Sequence, residues 1–141
     1  MFIGEYNYSI DEKKRLAVPV KFRQRLGDSV IITRGLEKCL SVYTPDEWEK
    51  FLEKEIKPLS FNRADARGLT RMMLAGAMEV AFDRLGRILI PDYLKEYAGL
   101  GKKVVLIGIS SHIEIWDEDQ WNKYKKEIEK ESGAIAERLA S

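Results

Sequence analysis

The sequence predicts an α+β fold, two tandem copies of one β-rich unit with short helices, fused about a pseudo-two-fold axis into one compact domain. Three observations carry that reading. The stretch Asp11-Glu12-Lys13-Lys14-Arg15-Leu16-Ala17-Val18-Pro19 returns 72 positions later as Asp83-Arg84-Leu85-Gly86-Arg87-Ile88-Leu89-Ile90-Pro91. Both follow the pattern Asp-x-x-x-Arg, three apolar residues, proline. The likeness then continues in order: Phe22 with Leu94, Gly27 with Gly99, and Val30-Ile31-Ile32 with Val104-Val105-Leu106. At an offset of 73, Tyr43, Asp46, Trp48 and Phe51 fall on Trp116, Asp119, Trp121 and Tyr124. A co-linear run of this kind marks an internal repeat. Finally, each copy holds only a few short strands and cannot cover its own apolar faces. A chain of 141 residues, 45% of them hydrophobic, fits one domain in which the copies pack together.

Residues 2–10 and 77–82 read as short strands running into turns at 11–15 and 83–87. Gly86 supplies a positive φ in the second turn at little steric cost. Lys14 holds that place in the first, so that turn is expected to be strained or of another type. Extended chain resumes at Leu16 to Val18 and Ile88 to Ile90. Pro19 and Pro91 suit the first turn of helices over 20–26 and 92–98, where a missing N–H costs nothing. Gly27 and Gly99 end those helices. Strands near 29–34 and 39–43 follow in the first copy, and near 103–108 and 112–116 in the second. Thr44-Pro45-Asp46-Glu47 and Asp117-Glu118-Asp119 start second helices, with capping residues and acidic first turns. Trp48, Phe51 and Leu52 give the first of these an apolar stripe, and Trp121 and Tyr124 the second; both read as packing surface. Residues 57–75 form a polar helical bridge, and the tail from Glu129 to Ser141 is expected to fray at its end. The two repeat domains are placed at 5–47 and 76–119, with flanking helices over 44–71 and 117–131.

Several function classes lack support. The longest apolar run, Val104 to Ile109, falls well short of a bilayer span, so no membrane partner is expected. Met1 to Tyr6 lacks the basic and apolar regions of a signal peptide, and the expected location is the cytoplasm. One cysteine, Cys39, is too few for a disulfide, or for a thiolate zinc or iron–sulfur site built by this chain alone. His112 is the only histidine; it reads as a partly packed surface residue, and Cys39 as a small buried hydrophobe. No nucleophile motif, Gly-rich phosphate loop or dinucleotide fingerprint appears. No enzyme, cofactor or metal is expected.

Net charge is +1, from 24 Lys+Arg and 23 Asp+Glu, which by itself speaks against a nucleic-acid partner. The distribution says otherwise. Lys13, Lys14, Arg15, Lys21, Arg23 and Arg25 stand against Asp11 and Glu12, whereas Glu114 to Glu131 carries seven acids against four lysines. The Asp-x-x-x-Arg motif has two readings. In one, the aspartate caps a tight turn and pairs with the arginine, for about 0–1 kcal/mol when exposed. In the other, the turn holds the arginine toward a phosphate or a base edge. Doubling the motif doubles the binding edge that the second reading provides.

The tandem Asp-x-x-x-Arg-apolar-apolar-apolar-Pro motif resembles that of the bacterial MraZ proteins. So do the opening Met-Phe-x-Gly, the stretch Gly86-Arg87-Ile88-Leu89-Ile90-Pro91, and Ile113-Glu114-Ile115-Trp116-Asp117 before a tryptophan-bearing helix. The resemblance covers roughly residues 1–130 and implies two tandem SpoVT-AbrB-like, swapped-hairpin domains. It further implies a closed homo-oligomeric ring, an octamer or larger, associated with the nucleoid. Such proteins bind double-stranded DNA at promoter repeats upstream of the division and cell-wall gene cluster and regulate its transcription. By position, the motif residues are Asp11 and Arg15 in the first copy, Asp83 and Arg87 in the second. Lys13, Lys14, Arg23 and Arg84 join Arg15 and Arg87 as DNA contacts on charge grounds. Lys14 departs from the glycine common before that arginine. The competing classes are a protein-binding ring without a DNA role, a toxin-neutralising module of the same fold, and, remotely, an enzyme.

Overall fold

Each copy contributes four strands, and pairing crosses between the copies. The computed structural model describes residues 1–141. The first copy holds β1 (Glu5–Ser9), β2 (Arg15–Ala17), α1 (Val20–Leu26), β3 (Ser29–Arg34), β4 (Leu40–Tyr43) and α2 (Pro45–Phe51). After α3 (Ala64–Ala75), the second repeats the plan with β5 (Met78–Ala81), β6 (Arg87–Leu89), α4 (Asp92–Tyr97), β7 (Lys103–Gly108), β8 (Ile113–Asp117) and α5 (Glu118–Ala140). Six strands form one antiparallel sheet in the order β1-β7-β8-β4-β3-β5. Read backwards, that order is the same with the copies exchanged, so a pseudo-two-fold axis runs between β4 and β8. The register crosses too: Tyr6 lies opposite Leu106, and Val30 opposite Val80. The remaining strands, β2 and β6, pair with each other across the axis, Leu16 opposite Ile88.

Alternation along the strands divides the interior between the two faces of the sheet. Val104, Leu106, Ile113 and Ile115 point to one face and join Leu16, Ile88, Phe22 and Leu94 in a core of 19 buried residues. Phe2 and Tyr6 meet Phe22 edge-on at 5.6 and 5.2 Å. Val105, Ile107 and Trp116 point to the other face and pack with Cys39 in a smaller cluster, against which Trp121 and Tyr124 of α5 lie half-buried. The aromatic stripes of α2 and α5 thus rest on the sheet without being sealed by it. Tyr43 contacts Trp48 and Phe51 at 5.5 and 5.2 Å, and Trp116 contacts Trp121 and Tyr124 at 5.3 and 5.0 Å.

Caps fall near their expected places. Glu47 N–H donates to Thr44 Oγ1 at 3.0 Å and Gln120 N–H to Asp117 Oδ2 at 3.3 Å. Pro19 and Pro91 stand one residue ahead of α1 and α4, at their N-caps. The bridge over 57–75 is helical only from Ala64, and α2 continues through a wide π turn over Leu52–Ile56. One expectation changes: the C-terminal tail is helical to Ala140. Glu, Lys, Ala and Leu are strong helix formers, and together they outweigh Gly133.

The two turns take one geometry although lysine replaces glycine. Lys14 has φ 64° and Gly86 φ 75°. Lys14 N–H donates to Asp11 O at 3.0 Å, and Gly86 N–H to Asp83 O at 3.0 Å. A different turn type in the first copy is therefore ruled out, and Lys14 carries the left-handed strain, about 1–2 kcal/mol. Gly86 is also constrained from outside, because a β-carbon there would lie 2.1 Å from Arg23 Nη1. Gly86→Ala should lower stability by about 1–2 kcal/mol through the positive φ alone and push Arg23 aside. Urea unfolding and a crystal structure of the variant check both effects.

Candidate nucleic-acid interface

The β2–β6 ribbon lies over the core with Leu16 and Ile88 turned inward, 0% and 1% exposed. Alternation then turns Arg15, Ala17, Arg87 and Leu89 outward. Antiparallel pairing sets Arg15 opposite Leu89 and Arg87 opposite Ala17, so the two arginines straddle the axis on one surface. The sequence repeat becomes a symmetric pair of cations.

Each arginine is held by its own turn. Asp11 Oδ1 accepts from the backbone N–H of Lys13 at 2.8 Å and of Arg15 at 2.9 Å, while Asp11 Oδ2 accepts from Arg15 Nε at 3.2 Å. Asp83 repeats this with Leu85 and Arg87, both at 2.9 Å, and with Arg87 Nε at 2.8 Å. Arg87 Nη1 also lies 3.7 Å from Asp11 Oδ2, a contact that joins the copies. The structure has the first reading of the motif: the aspartate caps the turn and pairs with the arginine, and by holding Nε it fixes the plane of the guanidinium. The terminal nitrogens of Arg15 have no protein partner. A planar fork presented this way suits a phosphate or a guanine edge.

Hydrogen bonds from the backbone N–H groups of Arg15 and Arg87 hold the Asp11 and Asp83 carboxyls below the ordinary aspartate value, with the arginine side chains adding to the effect. A depressed carboxyl stabilises the fold above its unfolded pKa, and that contribution is lost as pH falls through the folded value. In a carboxyl NMR titration, Asp11 and Asp83 should titrate below the ordinary aspartate range. Arg15→Ala keeps the backbone N–H bond to Asp11 and removes only the smaller side-chain contribution, so Asp11 should rise part of the way, stay below the ordinary range and leave Asp83 in place.

The other expected contacts spread around this pair. Lys13 and Arg84 stand exposed on the two turns, without side-chain partners. Lys14 Nζ is drawn to Asp92 Oδ1 of α4 at 2.6 Å. Arg23 crosses to the other copy: its Nε donates to Val18 O at 3.0 Å while its guanidinium covers Gly86. Sequence reasoning missed both crossings. Asp92 falls where the first copy has Val20, so aligning the repeats gave no hint of its pairing. It also missed Leu85 and Leu89, 69% and 51% exposed beside Arg84 and Arg87; strand alternation and a turn-tip position could have signalled them. His112 lies away from the ribbon, stacked on Tyr43 at 4.6 Å with Nε2 3.9 Å from Glu114. Burial raises the Cys39 thiol far above its ordinary value, which leaves it protonated and unreactive. No helix is long and apolar enough to cross a membrane.

Comparison with known proteins agrees with this doubled architecture. A family model described as "MraZ protein, putative antitoxin-like" matches twice, over residues 1–72 and 73–141. The chain is 48% identical over 139 residues to a protein of Alkaliphilus metalliredigens named transcriptional regulator MraZ, covering 99% of this chain and 96% of that one. It is 45% identical over 139 residues to proteins of the same name from Desulforamulus reducens and Moorella thermoacetica, covering 97% and 96% of their lengths. Two tandem matches and near-full-length identity of this order leave one assignment: the chain belongs to the MraZ family.

Proposed function

We propose that this chain is a DNA-binding transcriptional regulator of the bacterial division and cell-wall gene cluster. It binds direct repeats in promoter DNA through the arginine turns of a closed homo-oligomeric ring. Residues 5–47 and 76–119 are its two repeat domains. Arg15 and Arg87 reach into the duplex, and Lys13, Lys14, Arg23 and Arg84 neutralise flanking phosphates.

The observation that carries this reading is the pair of guanidinium groups held outward across a two-fold axis, each by an aspartate of its own turn. Such pre-organisation limits the side-chain entropy lost on binding. The name carried by relatives of 45–48% identity points the same way. With a net charge of +1, one protomer binds weakly, and affinity comes from several turns engaging one duplex.

Fluorescence anisotropy with duplexes carrying one, two or three copies of the repeat from the chain's own promoter tests this. Apparent affinity should climb by about ten-fold or more with the second copy and fall steeply with salt. Equal affinity for all three duplexes and for a scrambled one would overturn the reading.

A further inference from the structure

The outward face of the β2–β6 ribbon is symmetric in its arginines and in little else. Leu89 stands two residues past Arg87 on β6, on the same face by alternation, and Leu85 sits two residues before it at the tip of the turn. They are 51% and 69% exposed. The matching positions of the first copy, 72 residues earlier, are Ala17 and Lys13. One copy therefore offers leucine, arginine, leucine where the other offers lysine, arginine, alanine. The second turn is also less charged. Gly86 and the 56% exposed Val20 stand where the other half has the ion pair of Lys14 with Asp92.

Each leucine is placed beside one guanidinium. Leu89 is opposite Arg15 in the strand pairing, a position at which side chains meet across a ribbon. Leu85 shares the turn in which Asp83 holds Arg87. Neither leucine is part of the core. A single exposed leucine is ordinary, but two that bracket an outward arginine change what this face can recognise. Contacts to phosphate and sugar are made by charged and polar groups, for which leucine is unsuited. The major groove admits a two-stranded ribbon, and there the apolar group on a base edge is the thymine 5-methyl, while the guanine edge takes the arginine fork. The strand from the second copy carries side chains for both.

We propose that Leu85 and Leu89 are specificity-determining residues that receive thymine methyl groups in the major groove, beside the base edges taken by Arg87 and Arg15. The inference rests on the DNA-binding reading above and adds which bases the ribbon distinguishes. It also gives the protomer an orientation on its target. A two-fold face matches a palindrome, whereas a face with leucines from one copy alone matches a box without internal symmetry.

Fluorescence anisotropy with a repeat-bearing duplex tests this, once with its thymines and once with deoxyuridine in their place, which removes the methyl and keeps the pairing. The wild type should bind the deoxyuridine duplex about four-fold more weakly for each methyl contacted. The double variant Leu85→Ala with Leu89→Ala should bind the thymine duplex more weakly by a similar factor and should no longer distinguish the two duplexes. Lys13→Ala should weaken both alike and keep the wild-type discrimination. All three side chains are exposed, so the variants should fold, which circular dichroism checks. Equal binding of the two duplexes by the wild type would overturn the proposal, as would discrimination that survives in the leucine variant. Either result leaves the regulator reading standing. A wild type that binds no repeat-bearing duplex better than a scrambled one would overturn that reading and this one together.

Discussion

Leu16→Ala is expected to lower the unfolding free energy by about 3–5 kcal/mol, the upper part of the range for large-to-small core substitutions. Leu16 is fully buried at the centre of the ribbon, opposite Ile88, and both belong to the 19-residue core. The site collapses poorly. Ladder hydrogen bonds fix the ribbon on either side, Val18 N–H donating to Gly86 O at 3.3 Å and Ile90 N–H to Lys14 O at 2.9 Å. Ile88→Ala should cost a similar amount, and the two costs should couple, because the residues share one contact. A domain of ordinary stability has about 5–15 kcal/mol in total, so the double variant should not hold a stable fold. Leu139→Ala, at a site 82% exposed, should change the stability of the isolated protomer by less than about 0.5 kcal/mol. Urea unfolding at a concentration where the chain is monomeric makes the comparison. A Leu16→Ala cost below about 1 kcal/mol would remove the ribbon from the core of the fold.

That contrast also marks where sequence reading reached and where it stopped. The recurrence of Asp11 to Pro19 at Asp83 to Pro91 placed both turns, both arginines and the buried Leu16 and Ile88, because each is a local feature. The strands near 103–108 and 112–116 were legible for the same reason. Partnership between strands is not local. Nothing in Glu5 to Ser9 says that β1 pairs with β7 of the other copy, since period-two alternation is indifferent to the neighbouring strand. The contacts that depend on interleaving stayed hidden with it: Arg23 over Gly86, Lys14 with Asp92, and Arg87 near Asp11. Lys14 was legible as an oddity, but not its outcome. Two backbone N–H groups bonded to Asp11 and the pairing of β2 with β6 impose the left-handed turn whatever residue stands there. The length of α5 was obscured by polar composition, which describes an exposed helix and a frayed tail equally well.

Arg87→Ala is expected to reduce affinity for a repeat-bearing duplex by about 10–100-fold, from the loss of a two-point contact of about 1–3 kcal/mol repeated in each engaged turn. The lost contact and its replacement by lysine separate two contributions. If Arg87 only supplied charge, Arg87→Lys would restore binding, and the salt dependence would match the wild type. The geometry argues for the fork. Asp83 Oδ2 holds Nε at 2.8 Å and so orients the guanidinium plane, which lysine lacks. Arg87→Lys should therefore recover the salt slope but less than half of the lost binding free energy. Arg84→Ala should lower affinity evenly across sequences and reduce the slope by about one unit per engaged protomer. Lys123→Ala, at an exposed site on α5 away from the ribbon, should leave binding within about two-fold. Arg15→Ala should match Arg87→Ala in severity, since the charges left at the two turns balance alike, Asp11 and Glu12 against Lys13 and Lys14 in the first and Asp83 against Arg84 in the second. If Arg15→Ala, Arg87→Ala and Lys123→Ala all bind alike at low salt, the outward arginine pair is not the surface that meets DNA.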